Sequence, residues 1–321
     1  MERPMSGAAH WQRLRLPLIA APMLRVSGPA LVTAACRAGV VGAFPTANAR
    51  SVDELDQWLT LMRRSLQDAE RPGPVCPNLI IRQPRLQDDL ACLVRHRVEM
   101  VITSVGSPAS VVGPLHDVGC TVFADVASVG HAEKALRAGA DGLVLLSAGA
   151  GGQTGWANGM AFARAIRQFF DGPLVMAGGI SDGHALWAAR ALGCDLGYMG
   201  TKFIATEESM ADARHKAMVV SSRLDDVMRT RAFTGLDANM LRPSVEAAGL
   251  DPDQLDETVT FDEARVRFGA GTSHDKPKRW RDIWSAGHSV SGVTGIHDVA
   301  ELVAATEAEY EAARRRTADL R

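Results

Sequence analysis

Two glycine-ended apolar segments in the second half of the chain have the composition of an anion-binding site. Residues 177–180 read AGGI and residues 199–201 read MGT, and each motif closes a short apolar run. Glycine at the end of a strand lets the backbone approach a ligand closely, and a following helix offers free N–H groups to an anion. We therefore predict that these segments form the phosphate-holding side of a cofactor site.

The two segments belong to a longer alternation of apolar runs with segments of helical periodicity. The apolar runs cover residues 16–21, 40–44, 75–81, 100–103, 121–126, 143–146, 174–177 and 196–199. Short runs without polar alternation indicate strands that are buried on both faces of a parallel sheet. Eight strand–helix alternations with short linkers favour a closed barrel over an open sheet. The sequence therefore predicts an α/β fold, a (β/α)8 TIM barrel, with the glycine-ended segments after strands 7 and 8, where such barrels often bind phosphate.

The alternation stops after residue 205. Residues 207–276 carry helical patterns at 209–221, 242–248 and 261–268, and this segment is too long to be a loop. We predict that residues 1–206 and 277–321 form the barrel. The segment 207–276 would be a small, mainly helical domain inserted after strand 8, serving as a lid and substrate domain over the barrel mouth. Apolar positions on the last helix suggest a homodimer contact.

Composition and charge narrow the class of protein. Lysine and arginine number 35 against 37 acidic residues, and this balance gives no reason to expect nucleic acid or an anionic membrane as partner. No apolar run reaches 18 residues, and residues 1–17 lack the apolar core of a signal peptide. The five cysteines show no metal-ligand spacing. We predict buried reduced thiols, no metal site, no membrane contact and a cytoplasmic protein.

Five motifs, taken in order, resemble those of the FMN-dependent nitronate monooxygenases, formerly called 2-nitropropane dioxygenases. The motifs are APM at 21–23, GAGGQTG at 149–155, AGGISDG at 177–183, YMGTKF at 198–203 and IWSAGHS at 283–289. The resemblance covers nearly the whole chain. It implies a barrel with a small domain inserted after strand 8, and one non-covalent FMN at the C-terminal ends of the strands.

The resemblance also assigns three groups of residues to the FMN site. Ala21, Pro22 and Met23 would lie along the isoalloxazine ring. The residues that would face the same cavity from other strand ends are Asn78, Ser104, Asp125, Gly151, Gly152 and Gln153. Those that would lie at the phosphate, held by backbone N–H groups and a hydroxyl, are Ala177, Gly178, Gly179, Met199, Gly200 and Thr201.

One position departs from the pattern of the family. Relatives usually read GGH in the loop after strand 6, and that histidine is assigned as acid or base over the flavin, whereas this chain has Gln153. An amide cannot take a proton at neutral pH. Relatives with the IWSAG motif commonly continue with glutamine, and this chain has His288. We predict that His288 takes over the proton or anion handling, while Gln153 hydrogen-bonds substrate or flavin; these two are the candidate catalytic residues.

Three functions remain open on the sequence. The resemblance implies first a nitronate monooxygenase-like enzyme, in which a nitronate gives an electron to FMN and dioxygen then yields a carbonyl product and nitrite. The same barrel supports an NAD(P)H-dependent flavin reductase acting on a quinone or an enoyl thioester. The third is a flavin-binding paralogue without turnover, for which Gln153 is the main support. The partners expected are small molecules, namely FMN, a substrate, and O2 or NAD(P)H.

Overall fold

Eight parallel strands close into a barrel, which confirms the predicted TIM barrel. The computed structural model describes residues 13–269 and 277–318. The barrel strands are β1 Leu18–Ala20, β2 Val41–Pro45, β3 Val75–Ile80, β4 Met100–Ser104, β5 Thr121–Val126, β6 Gly142–Leu146, β8 Leu174–Ala177 and β9 Leu196–Met199. The short strand β7, Gly152–Gln153, lies outside the barrel, so β8 and β9 are its seventh and eighth strands. The barrel closes where β1 pairs with β9, with Ala20 opposite Met199.

The strands are mainly apolar because both of their faces are buried. Side chains such as Ile19, Phe123 and Val144 fill the barrel interior, while their neighbours Leu18 and Leu143 point outwards and pack against the surrounding helices. The outer helices are Pro29–Arg37, Val52–Ser65, Leu86–His96, Ala109–Asp117, Val129–Arg137, Gly159–Ile166, Gly183–Ala191, Thr201–Ile204 and Val299–Ala318.

The last helix packs unusually closely on the helix that follows β8. A Cβ atom at Gly183 would lie 2.0 Å from the backbone nitrogen of Tyr310 and 2.3 Å from the carbonyl oxygen of Thr306. Such distances leave no room for any side chain, so the final glycine of the AGGISDG motif is required by helix packing. Its N–H donates to the carboxylate of Glu309 at 2.9 Å, which also ties the last helix to the barrel.

The inserted segment contains a small sheet that the sequence patterns did not predict. Besides the helices Ala213–Ser221, Arg242–Ala247 and Phe261–Phe268, it carries β10 Val227–Thr230 and β11 Ala238–Leu241. Strand β11 pairs with β10 on one side and, on the other, with β7 Gly152–Gln153 from the loop after β6.

The segment is therefore hydrogen-bonded into the barrel mouth as part of its wall. Its division from the barrel at residues 206 and 277 stays a prediction. Residues 1–12 and 319–321 of the predicted barrel and 270–276 of the predicted lid lie outside the described residues.

The cysteines are free and buried, as predicted. Burial raises the pKa of the Cys194 thiol to about 11, so this side chain carries no thiolate at neutral pH. Across residues 13–269 and 277–318, no helix has both the length and the apolar character needed to cross a membrane.

Candidate functional site

A cavity of about 280 Å³ opens at the C-terminal ends of the barrel strands, where TIM-barrel enzymes place their chemistry. Most of the residues assigned from the sequence line it. These are Ala21, Pro22, Met23, Asn78, Ser104, Asp125, Gly151, Gly152, Gln153, Ala177, Gly178, Gly179, Gly200 and Thr201. The structure thus brings together segments that are distant in the sequence, from the first strand to the last.

Two of the assigned residues do not line the cavity. Side chains alternate along β9, so Tyr198 faces the cavity while Met199 is fully buried in the outer core. His288 begins the 3-10 turn His288–Gly292, and its side chain is exposed. Its backbone N–H donates to the carbonyl of Gly149 at 3.0 Å. The His288 loop therefore lies at the barrel mouth, but its side chain is outside the cavity lining.

Glycine is favoured at the two positions of the AGGI motif for different structural reasons. A Cβ atom at Gly178 would lie 2.3 Å from Oγ of Ser147, so protein packing alone requires glycine there. At Gly179 the backbone φ is +78°, and a Cβ atom would meet no described atom within 4 Å. Among the described residues, the Gly179 N–H also finds no hydrogen-bond acceptor. Gly179 thus faces open space with a free donor, as an anion cradle requires.

Thr201 lines the same cavity, at the start of the short helix after β9. Its Oγ1 accepts a hydrogen bond from the N–H of Gly287 at 2.9 Å, which leaves the hydroxyl hydrogen available to a ligand. Gly287 also approaches Gly151, where a Cβ atom would lie 2.7 Å from the Gly287 nitrogen. Glycine at 151 is therefore explained by contact between two loops, whereas the resemblance assigned it to the cofactor.

The APM segment is fixed by two side chains that the sequence analysis did not assign. Oγ of Ser27 donates to the carbonyl of Ala21 and accepts from the N–H of Met23, each at 3.0 Å. The amide of Asn48 donates to the carbonyls of Met23 and Ser27 at 2.9 and 2.8 Å. The segment after β1 is consequently a rigid, mainly apolar wall on which a flat ring can stack.

The inserted segment holds the loop after β6 in place. The buried amide of Asn239 on β11 donates to the carbonyls of Ala148 and Ala150 at 2.8 and 2.7 Å. Next to it, Ala238 pairs with Gln153, whose side chain belongs to the cavity lining. Asn239 lies in no motif or periodic pattern, so nothing in the sequence marks it as a site residue.

Polar side chains on three neighbouring strands form the cavity floor. The amide of Asn78 donates to Oγ of Ser104 at 3.2 Å and to the carbonyl of Ile102 at 3.1 Å. Asp125 lines the same floor, and its buried Oδ1 has no hydrogen-bond partner among the described residues. Burial raises the pKa of the Asp125 carboxyl to about 7. An unpartnered buried oxygen of this kind calls for a ligand donor or acceptor.

The cavity roof contains a histidine that the sequence analysis missed. His215, from the inserted segment, is buried and lines the cavity, with its ring stacked on Trp284 at 5.2 Å and 8°. Its Nε2 lies 3.2 Å from the carbonyl oxygen of Ser285. Because that oxygen can only accept, Nε2 carries the proton and Nδ1 remains an acceptor. Burial lowers the pKa of His215 to about 4, so the ring is neutral at physiological pH.

Arg279 and Trp280 complete the roof. The guanidinium of Arg279 donates to the carbonyl of Phe233 at 3.0 Å and has no carboxylate partner within the described ranges. Burial, and then the nearby charge of Arg265, lower the pKa of Arg279. Trp280 has φ +66°, a conformation that costs a bulky residue about 1–2 kcal/mol. Strain of this kind often concentrates at ligand sites.

A separate cluster on the outer helices joins Asp56, Cys92 and His96. Their ligand-type atoms lie within 4.8 Å of one another, a grouping that the prediction of no metal site did not anticipate. Nε2 of His96 is 2.9 Å from Oδ1 of Asp56, and Arg95 lies 3.5 Å from the same oxygen. The hydrogen bond and the neighbouring cation hold the Asp56 carboxylate beside His96.

The closed barrel has its cavity at the C-terminal ends of the strands, the usual ligand site of TIM-barrel proteins. The sequence model of the family described as nitronate monooxygenase matches residues 79–306. A nitronate monooxygenase of Paraburkholderia phytofirmans is 27% identical over 341 aligned positions, covering 92% of each chain. The structure of nitroalkane oxidase from Streptomyces ansochromogenes has a TM-score of 0.78 at 24% identity, over 95% of this chain and 99% of the other. That likeness shows the fold alone.

A second kind of relative carries a different name. The (3aS,4S,5R,7aS)-5-hydroxy-7a-methyl-1-oxo-octahydro-1H-indene-4-carboxyl-CoA dehydrogenase of Rhodococcus jostii is 27% identical over 225 residues. The match covers 70% of this chain and 62% of that protein, so the chain spans less than two thirds of that relative. The family match covers well over half of the chain. The chain therefore belongs to the nitronate monooxygenase family, whose members are flavin-dependent oxidoreductases.

Proposed function

We propose that this protein is an FMN-dependent oxidoreductase that oxidises alkyl nitronates with O2 and releases nitrite. The observation that carries the cofactor assignment is Gly179, with its positive φ, free N–H and open Cβ direction. Gly179 and Thr201 supply one phosphate site, which suits FMN. Bound FMN would supply the electron-accepting chemistry of the reaction.

The residues of this chain hold and orient the two ligands in this proposal. The rigid segment 21–23 supports the flat ring, and the hydrogen-bonded pair of Asn78 and Ser104 lines the cavity beneath it. Gln153 lies in the cavity lining as a hydrogen-bonding amide. A preformed nitronate is already an anion and needs no base, so the loss of histidine at position 153 opposes a nitroalkane substrate more than a nitronate substrate.

A second candidate is an NAD(P)H-dependent flavin reductase acting on an enoyl thioester. The observation favouring it is Arg279, a half-buried cation in the cavity lining without a described carboxylate partner. A guanidinium in such a place suits the phosphates of a CoA thioester or of a nicotinamide nucleotide. The Rhodococcus relative, whose name describes a dehydrogenase of an indene-carboxyl-CoA thioester, lends this candidate support.

Anaerobic stopped-flow absorbance decides between these functions. Purified protein should carry FMN, identified by the mass of the released chromophore, and mixing with ethylnitronate should change the flavin spectrum. NADH and NADPH should leave the spectrum unchanged, and admission of air after nitronate should yield nitrite. Rapid bleaching by a nicotinamide would favour the reductase, and FMN without any reaction would favour a paralogue without turnover. A chromophore with the mass of FAD would contradict the cofactor assignment.

The two histidines at the barrel mouth differ in their expected effects on nitronate oxidation. We expect His215→Gln to raise KM about tenfold, roughly 1.4 kcal/mol, because it changes a side chain that lines the cavity. The pH profile above pH 5 should not move, since the pKa of His215 is lowered to about 4. His288→Gln should have the smaller effect, because its side chain is exposed.

The predicted exchange of roles between His288 and Gln153 is tested in the same series. A tenfold lower turnover in His288→Gln, partly recovered when Gln153→His is added, would show that His288 acts on the substrate after all. Unchanged kinetics in His288→Gln would leave its backbone contact with Gly149 as its contribution. A cytoplasmic location and a homodimer stay predictions.

A further inference from the structure

We propose that Asp125 is a neutral carboxylic acid in the flavin-loaded protein and donates a hydrogen bond to the cofactor, so that FMN binding takes up one proton. This inference rests on the FMN site proposed above. It concerns a residue of the barrel floor whose role in the binding reaction neither the fold nor the family relationship assigns.

The Asp125 carboxyl is isolated from the other polar groups of the cavity floor. Its neighbours on the floor, Asn78 and Ser104, satisfy each other by hydrogen bonds of 3.2 and 3.3 Å. Oδ1 of Asp125 is buried, with no partner among the described residues. The side chain is nevertheless part of the cavity lining, so it is reached from the cavity and not from the outer surface. A ligand in the cavity is therefore the partner available to it.

No positively charged group among the described residues offsets the burial of the Asp125 carboxyl, since Arg279, in the same cavity lining, does not contribute to its pKa shift. The titratable groups that sense the Asp125 charge are the Cys76 thiol on β3 and the Tyr198 hydroxyl on β9. Burial raises the pKa of both groups, and the charge of Asp125 raises each further. Both are neutral at physiological pH and offer no counter-ion. The pKa of Asp125 itself is raised to about 7 by burial alone.

FMN binding should further favour the protonated form of Asp125 over the carboxylate. A ligand that fills the cavity displaces the water that reaches Asp125, which disfavours the charged form. The FMN phosphate adds negative charge to the same cavity, and this also disfavours a carboxylate. The flavin ring has carbonyl oxygens and ring nitrogens that accept hydrogen bonds. A protonated Asp125 can donate to such an acceptor, whereas an ionised one cannot.

Because FMN binding is coupled to protonation of Asp125, the affinity for FMN should depend on pH in a defined way. Below about pH 6 Asp125 is already protonated in the free protein, so binding takes up no proton there. Above about pH 7 each pH unit should weaken FMN binding about tenfold, because one proton must be taken up. Titration calorimetry at pH 8 in two buffers of different ionisation enthalpy should show uptake of about one proton.

Variants of Asp125 distinguish hydrogen-bond donation by a protonated carboxyl from other effects of this side chain on FMN binding. Asp125→Asn, a permanently neutral donor, should bind FMN with nearly equal affinity at pH 6 and pH 8 and take up no proton. Asp125→Leu, which cannot donate, should bind FMN at least tenfold more weakly at pH 6. Asp117→Asn, which removes an exposed carboxylate outside the cavity lining, is the matched control and should behave as the parent protein. The ionisation of the FMN phosphate is common to all four proteins and cancels in the comparison.

Two results would overturn the inference in distinguishable ways. FMN binding to the parent protein without proton uptake, with Asp125→Asn as weak as Asp125→Leu, would mean that the ionised carboxylate accepts a hydrogen bond from the flavin; the FMN assignment would survive. Failure of the parent protein to bind FMN at any pH would remove the proposed function and this inference together.

Discussion

Gly179→Leu should release FMN, with the dissociation constant rising at least a hundredfold, about 2.7 kcal/mol. The reason is the direction in which the new side chain points. A Cβ atom at this position meets no described atom within 4 Å, so a leucine side chain enters the open space that we assign to the phosphate. Fluorescence titration of the flavin-free variant with FMN measures the loss.

The chain provides a matched control at Gly119. This glycine also has a positive φ, +80°, and an open Cβ direction, but it lies outside the cavity lining. Gly119→Leu therefore introduces the same backbone strain, about 1–2 kcal/mol, and should keep FMN affinity within about twofold. Riboflavin lacks the phosphate, so its affinity should suffer less than that of FMN in Gly179→Leu. Equal losses for both flavins would place the phosphate elsewhere.

The sequence predicted the barrel well because each strand can be recognised from a short stretch of consecutive residues. Each barrel strand is a short apolar run buried on both faces, and the runs at residues 121–126, 174–177 and 196–199 coincide with β5, β8 and β9. The glycines that follow these strands were also recognisable in the sequence. The sequence did not show why glycine is needed at each position, because Gly178 and Gly183 are required by contacts with Ser147 and Tyr310 that only the folded chain reveals.

The sequence could not predict the cavity roof, because the roof depends on contacts between segments that are distant in the chain. Strand β7 has two residues, Gly152–Gln153, and becomes a strand only through its pairing with β11 from the inserted segment. A pair of residues has no periodicity to detect. His215 lies on a helix with no motif around it, and only the stacking on Trp284 places its ring in the roof. The sequence instead favoured His288 as the catalytic histidine because it lies in the IWSAGHS motif, although its side chain is outside the cavity lining.

Asp125→Asn should stabilise the flavin-free protein in a pH-dependent way. The folded-state pKa of Asp125 is raised to about 7 from a usual value of 3.8 by burial. Between these two values the folded chain binds more protons than the unfolded chain, so stability falls as pH rises through this window. Below the window both states are protonated, and above it the full penalty of a buried carboxylate remains. Asparagine removes this penalty because it carries no charge at any pH.

The stability difference between Asp125→Asn and the parent should therefore grow by about 2–3 kcal/mol between pH 5 and pH 8. Urea unfolding of the flavin-free proteins at pH 5, 6.5 and 8 measures it. The cost of burying the new amide is the same at each pH, so only the growth of the difference reports the carboxyl. Asp117→Asn, at an exposed position, should show no comparable growth. A difference between Asp125→Asn and the parent that stays constant across this range would mean that Asp125 ionises in the folded protein as readily as in the unfolded chain, and the proton uptake proposed for FMN binding would lose its physical basis.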